Sequence, residues 1–297
     1  MGYIKNLYPY IKTEIDYRAV LDNKNIDAIV IATPTATHYR LAKESLLAGK
    51  DVLCEKPLAL ISREAQELIS IAKSKKLILM VGHVFLFNSG IQKIREYIED
   101  KLLGKIYYLR STRTNLGPIR NDVNVVLDLA VHDVSIFSYL LGKQPLMVNA
   151  TGSKILRKNL EDIAFISLYY PDNILASIHV SWLDPRKVRE ITVVGNKKMA
   201  IWDDLSTTDT VRLYDKGVIR EPYYDDFGQF QLLLREGDVN IPKLNLIEPL
   251  KTESLHFLQS IEKRRDTICS GKNVLYTIKV MEAIQKSLRK KGEAVKV

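Results

Sequence analysis

Three short, largely apolar runs set the first architecture open to this chain. Residues 28–32 read Ala-Ile-Val-Ile-Ala, residues 51–54 Asp-Val-Leu-Cys and residues 77–81 Leu-Ile-Leu-Met-Val. Runs of this length without polar alternation are expected of parallel strands covered on both faces. Helical patterns lie between them. Tyr39, Leu41, Ala42, Leu46 and Leu47 share a face closed by Gly49 as the C′ residue, and Leu68, Ile69 and Ala72 follow Ser62, a candidate cap. Spacings this short predict right-handed βαβ units in a doubly wound sheet.

After residue 88 the character changes. A helix is predicted over 88–103 and a strand over 106–110, followed by a polar, turn-rich stretch from 112 to 124. A strongly apolar helix over 125–141 stops at Gly142. From 148 to about 233 the chain reads as strands in series, with hairpin punctuation at Pro171-Asp172-Asn173 and Gly195-Asn196-Lys197. Helices over about 248–263 and 273–290 close it. The expected fold is therefore an incomplete Rossmann-type α/β domain, residues 1–87, followed by an α+β domain, residues 88–297, with a large, mostly antiparallel sheet. The cleft between the domains is the expected site.

Composition narrows the function classes. The chain of 297 residues is 46% hydrophobic and 27% charged, which is globular rather than disordered. No apolar run approaches the roughly 20 residues of a membrane span, and the N-terminus lacks the apolar core of a signal peptide. Two cysteines, Cys54 and Cys269, make neither a disulfide framework nor a cysteine metal site, so a reducing cytoplasm is the simplest setting. No metal site is expected. Forty-four basic and 35 acidic residues leave a net charge of +9. The basic clusters are short and sit near predicted helix ends, where cations suit the macrodipole. Neither a zinc finger nor an RNP-like aromatic motif accompanies them, so a phosphate-bearing small molecule fits better than nucleic acid.

In an open parallel sheet, ligands bind at the carboxyl ends of the strands. Here those ends carry Thr33-Pro34 with His38 nearby, Glu55-Lys56-Pro57, and His83 followed by Phe87-Asn88. Taken singly, each has a plain structural explanation; their coincidence at successive strand ends is the signal. A second signal lies on the apolar helix, where Asp128, His132, Ser135 and Tyr139 form one polar stripe at steps of four, three and four. A carboxylate one turn from a histidine can fix the imidazole tautomer and raise its basicity, as acid–base catalysis requires. The plain alternative is a satisfied core pair. Asp133 lies off the stripe and is read as structural.

Three segments in this order, ATPTATHYRLAKESLLAGKDVLCEKPLA (32–59), VGHVFLFNSG (81–90) and VVLDLAVHDVSIFSYLLG (125–142), resemble the glucose–fructose oxidoreductase/inositol dehydrogenase (Gfo/Idh/MocA) family. The resemblance runs from about residue 11 to the C-terminus. RTNLGPIRNDVN (113–124) resembles the branch that acts on nucleotide sugars, notably UDP-N-acetylglucosamine 3-dehydrogenases. The resemblance implies an NAD(P)-dependent enzyme, with NAD favoured over NADP, that oxidises a ring hydroxyl of a sugar or cyclitol or runs the reverse reduction. It implies that Lys56 hydrogen-bonds the reacting hydroxyl, that His132 is the acid–base residue and that Asp128 is its helix partner. Thr33, Pro34, His38, Glu55 and Lys56 are the implied cofactor-binding residues, and His83, Asn88, Asn124 and His132 the substrate-binding ones. A cis Lys56–Pro57 bond and homo-oligomers, dimers or tetramers through the second domain's sheet, are further implications.

One family feature has no counterpart. The family begins with a strand, a GxGxxG turn, a helix and a second strand ending in an acidic residue, whereas no GxGxxG occurs in this sequence. The glycine-rich turn brings backbone N–H groups to the pyrophosphate and the acidic residue holds the ribose. Without the first strand the sheet is expected to expose a long unpaired edge. The first expectation is a functional enzyme longer than this chain. The alternatives are a non-catalytic remnant acting as a sugar-binding or interaction module, and a second chain that supplies the segment.

Overall fold

The computed structural model describes residues 2–220 and 232–297. It divides into two compact units, Met1–Gly82 with His256–Leu275, and His83–Leu255 with Tyr276–Val297. The first boundary therefore falls between Gly82 and His83, before the strand-end segment 83–87, and residues 256–275 return to the first unit.

The first unit opens with two short helices, α1 (Gly2–Leu7) and α2 (Tyr17–Asp22), and continues as β1 (Ala28–Ile31), α3 (His38–Leu47), β2 (Asp51–Glu55), α4 (Ser62–Lys75) and β3 (Leu79–Gly82). The three strands are parallel in the order β1-β2-β3, with Ile29 opposite Val52 and Leu53 opposite Met80. The apolar runs thus fold as the period predicts, and β2 is buried from Asp51 to Cys54. α3 ends as expected, with Gly49 at φ +81°. Ser62 does not cap α4 but is its first helical residue, behind Ile61, and makes no side-chain cap bond. Both cysteines are free and buried; burial, with Glu55 adjoining, pushes the Cys54 thiol up.

The two edges of this sheet differ. Along β3, Met80 bridges to Ser270, and the Val81 N–H donates to the Cys269 carbonyl at 3.1 Å. The same returning segment carries Arg264, whose Nη1 donates to both oxygens of the buried Asp51 at 2.9 Å. β1 is paired only with β2 among the described residues, and Val30 within it is 64% exposed. An apolar strand residue so open marks the unpaired edge that the sequence predicts.

The second unit begins with α5 (Ser89–Glu99), β4 (Ile106–Thr114) and α6 (Val131–Leu141). It runs on through β5 (Met147–Ser153), β6 (Ile163–Tyr169), β7 (Leu175–Ser181), β8 (Val188–Gly195), β9 (Met199–Asp203) and β10 (Val211–Tyr214). β11 (Gly217–Arg220) and β12 (Leu232–Arg235) form a separate antiparallel ribbon; the part of the predicted strand series at 221–231 lies outside the described residues. β13 (Val239–Asn240), α7 (Pro249–Lys263), α8 (Gly271–Arg289) and β14 (Val295–Lys296) complete the chain. The nine-stranded sheet has the order β13-β10-β9-β8-β4-β7-β6-β5-β14. Only β4–β7 is parallel, so the sheet is mostly antiparallel.

Alternation with period two assigns this sheet's faces. Leu109, Ala164, Ile166, Ala176, Ile178, Ile191, Val193 and Trp202 are buried on one face. Tyr108, Phe165, Tyr169 and Leu175 are partly exposed on the other. Both predicted hairpins form, the first around Pro171–Asn173 and the second between β8 and β9. At the second, Gly195 meets the preceding loop so closely that an added Cβ would stand 2.0 Å from the Leu103 carbonyl oxygen. Gly195→Ala must shift backbone and is expected to destabilise the protein by about 1–3 kcal/mol, the usual cost of overpacking, as read from the urea midpoint. Gly217→Ala, whose nearest neighbours would stand at 3.4 Å, is the control and should move the midpoint little.

Among the described residues no helix is long and apolar enough to cross a membrane.

Candidate active site

In the first unit, the loops after β1 and β2 converge through one side chain. His38, at the start of α3, is 1% exposed, and its two ring nitrogens lie 2.8 Å from the carbonyl oxygens of Thr33 and Pro57. It ties the turn after β1 to the turn after β2. The Lys56–Pro57 bond in the second turn is cis. The Lys56 N–H faces the Glu55 carboxylate at 3.3 Å, and both side chains are half-buried. Thr33 and Pro34 are exposed, and the Thr33 hydroxyl pairs with that of Thr37 at 2.7 Å in the turn leading into α3. Thr33, Pro34, Glu55 and Lys56 thus share one rim at the carboxyl end of the sheet, where such folds take their ligands. His38 supports that rim from beneath and presents no ring surface to a ligand, which departs from its expected place in the cofactor lining.

That rim fits the nicotinamide end of a dinucleotide. It offers exposed residues at 32–34, a polar turn opening a helix, and a half-buried lysine and glutamate at the end of β2. The GxGxxG turn that supplies the usual backbone cradle for the pyrophosphate does not occur in the sequence.

In the second unit the central feature is the apolar helix. It is not α-helical throughout: residues Val126–Ala130 form a π turn, and α6 begins only at Val131. Single π turns inside helices are rare and occur frequently at functional sites. This one lies between Asn124 and His132 and carries Asp128. The Asp128 carboxylate accepts from Arg120 Nη1 at 3.2 Å and from Trp182 Nε1 at 3.3 Å. The stripe read from sequence as an even α-helical ladder is therefore stepped at Asp128, and the carboxylate has partners from two other segments.

Asn124 caps this helix. Its Oδ1 accepts from the Leu127 N–H at 3.0 Å, and its Nδ2 donates to Glu161 at 2.8 Å and Gln285 at 3.1 Å. At 3% exposure and with its amide committed to protein, Asn124 holds the helix start rather than opening onto a ligand. Asn88 is likewise a cap. Its Oδ1 accepts from Gly90 N–H at 2.9 Å and Trp202 Nε1 at 3.1 Å, and its Nδ2 donates to Asp204 at 3.0 Å. Half-buried, it retains an open side. His83 is buried at the N-terminus of the short 3-10 turn Val84–Phe87.

Asp133 is 1% exposed and receives both arms of the Arg113 guanidinium, at 3.0 and 2.9 Å. The His132 ring stands against Phe85, centroids 4.9 Å apart and planes at 76°. Lys56 and His132 belong to different units, and each is placed within its own. Among the described residues no group of three or more His, Cys, Asp or Glu side chains could hold a metal ion.

Sequence reasoning missed Arg120, Trp182, Phe85, Arg113 and Arg189. No periodic pattern flags them, since each acts through a partner on another segment, 8 positions away for Arg120 and Asp128 and 54 for Trp182 and Asp128.

The model described as the oxidoreductase family with an NAD-binding Rossmann fold matches residues 8–83, and that of the GFO/IDH/MocA C-terminal domain matches residues 91–201. A UDP-N-acetylglucosamine 3-dehydrogenase of Acidithiobacillus ferrooxidans is 28% identical over 249 residues, covering 83% of this chain and 74% of that protein. A solved structure of that enzyme from the same organism superposes with a TM-score of 0.81 at 24% identity, over 97% of this chain and 86% of its own. A myo-inositol 2-dehydrogenase of Thermotoga maritima is 27% identical over 290 residues, 93% of this chain and 81% of the relative. The structure of GenD2 from gentamicin A biosynthesis, in complex with NAD, has a TM-score of 0.81 at 18% identity, over 100% of this chain and 85% of its own.

Proposed function

The chain belongs to the Gfo/Idh/MocA oxidoreductase family, and from that premise we propose that it transfers a hydride between a nicotinamide dinucleotide and a ring hydroxyl or ketone of a sugar. A nucleotide sugar of the UDP-N-acetylglucosamine type is the favoured substrate, on the relative 28% identical and on segment 113–124. NAD is placed ahead of NADP, on the NAD complex of a structural relative. The observation that carries the reading is the π turn that sets Asp128 one turn ahead of His132 in an otherwise apolar helix.

When bound, the nicotinamide supplies the hydride acceptor. The protein's part is to hold the carbinol and manage its proton. His132 takes the hydroxyl proton in oxidation and returns it in reduction. Asp128, itself fixed by Arg120 and Trp182, lies one turn before His132 and is its proposed electrostatic partner as the proton arrives. The Lys56 ammonium stabilises the developing alkoxide. By the family resemblance, Thr33, Pro34 and Glu55 are the proposed nicotinamide contacts and Asn88 and His83 the proposed sugar contacts. The open sheet face, with Tyr108, Phe165 and Leu175 each about half exposed, suits self-association.

A non-catalytic sugar-binding or interaction module is the second reading, favoured by the lack of GxGxxG in the chain. Titration with NADH, followed by nicotinamide fluorescence, separates the two. Saturable micromolar binding to the folded chain is the expected outcome. A folded protein that shows no binding, and no turnover of UDP-N-acetylglucosamine with NAD, would sink the dehydrogenase reading.

A further inference from the structure

Arg113 of β4 and Arg189 of β8 are direct register partners in an antiparallel ladder. Like charges opposite one another on a sheet face destabilise the pairing, so an arrangement of this kind needs compensation. Three groups provide it. Asp133 takes the Arg113 fork, and Asp204 takes Arg189 Nη1 at 2.5 Å. The third is Phe85, since both guanidinium carbons lie within cation–π range of its ring, Arg113 at 4.5 Å and Arg189 at 5.1 Å from the centroid.

Among the described residues, the same ring stands edge-to-face against Trp202 and His132. Trp202 stands at 6.0 Å and 77°, and is itself hydrogen-bonded to Asn88. His132 stands at 4.9 Å and 76°. Phe85 is thus held by two charges that are each anchored to a carboxylate, and it meets the one imidazole of the candidate site that lies on the π-turn helix.

We propose that Phe85 is a positioning residue for His132. The terminal torsion of a histidine is broad and roughly two-fold, so the backbone of α6 alone does not set the ring plane. The edge-to-face contact with Phe85, whose ring the two guanidinium groups flank, contributes to setting it. The arginine pair, otherwise a cost to the sheet, is the device that steadies Phe85. The catalytic consequence rests on the reading of His132 as the acid–base residue; the geometric claim does not.

The test uses the full chain labelled with carbon-13 at histidine Cε1, with the His132 signal among the five histidines identified by its loss in His132→Gln. Phe85 is half-buried, and Phe85→Leu is expected to shift the His132 resonance further than that of any other histidine. Phe85→Tyr, which keeps the ring, is expected to leave it in place. An unmoved His132 signal in folded Phe85→Leu overturns the proposal, as does an equal shift in Phe85→Tyr. Should Phe85→Leu not fold, Arg189→Met releases one side of the grip from a partly exposed position, and an unmoved signal there overturns it equally. With UDP-N-acetylglucosamine and NAD, Phe85→Leu should lower kcat by roughly 10–100-fold, the scale of a misplaced catalytic group, with KM for NAD unchanged and Phe85→Tyr restored. Absence of turnover in the parent protein would fail the dehydrogenase reading and leave the resonance measurement to decide this one.

Discussion

His132→Asn is expected to lower kcat for oxidation of UDP-N-acetylglucosamine by about 10²–10⁴-fold, the usual worth of a positioned general base. Binding of NADH should be little changed, because His132 lies in the second unit while Thr33, Pro34, Glu55 and Lys56 lie in the first. Asparagine keeps the approximate size and a hydrogen-bonding end but cannot carry a proton at neutral pH. Lys56→Met should lose turnover on a similar scale for a different reason, since the alkoxide loses its cation while the stem packing is retained. Steady-state kinetics with fluorescence titration of NADH in each variant makes the comparison. Parent-like turnover in both variants would remove these residues from the mechanism.

Asp133→Ala is expected to cost about 3–5 kcal/mol of stability, the scale for breaking a buried ion pair by deleting one partner. The Arg113 guanidinium is 4% exposed and the Asp133 carboxylate 1%. Truncation would leave a desolvated cation opposite Arg189 in the ladder, with the carboxylate that accepted its Nε and Nη2 gone. The double variant Arg113→Met, Asp133→Leu removes both charges and should recover much of the loss, because well-packed apolar replacements of buried pairs are often neutral or better. Urea midpoints of the single and double variants form the test. A single variant within about 1 kcal/mol of the parent would mean that the pair is relieved by local rearrangement, given that ordinary surface changes stay within about 0.5 kcal/mol.

Much of the architecture was readable before any coordinates. The three apolar runs folded as adjacent parallel strands, both hairpins closed at their predicted turns, and α6 ended at Gly142 in the left-handed conformation. These features depend on local rules, namely the period of hydrophobicity, the reach of a tight turn and the φ freedom of glycine. The reading departed from the structure in two ways, by a local shift of a helix start and by non-local partners. Ser62 lost its predicted capping role to a helix start one residue earlier. Asn124 and His38, polar residues placed at a site by motif, are occupied by protein partners that only folding brings to them.

The chemistry divides in the same way. From the amino-acid order came the types and positions of the candidate groups, a lysine and a glutamate at one strand end and a carboxylate and an imidazole on one helix, and from the family resemblance the roles proposed for them. Order alone also showed the lack of a glycine-rich phosphate turn, because a motif is a matter of neighbours along the chain. Tertiary structure decided what holds those groups. The π turn under Asp128 and the Arg120 bond to its carboxylate are local yet follow no periodic pattern, while the Trp182 bond and the arginine pair gripping Phe85 against His132 depend on contacts between residues far apart in sequence. No periodicity encodes such contacts. They arise when strand register places two side chains opposite one another, and register belongs to the sheet as a whole rather than to any one strand.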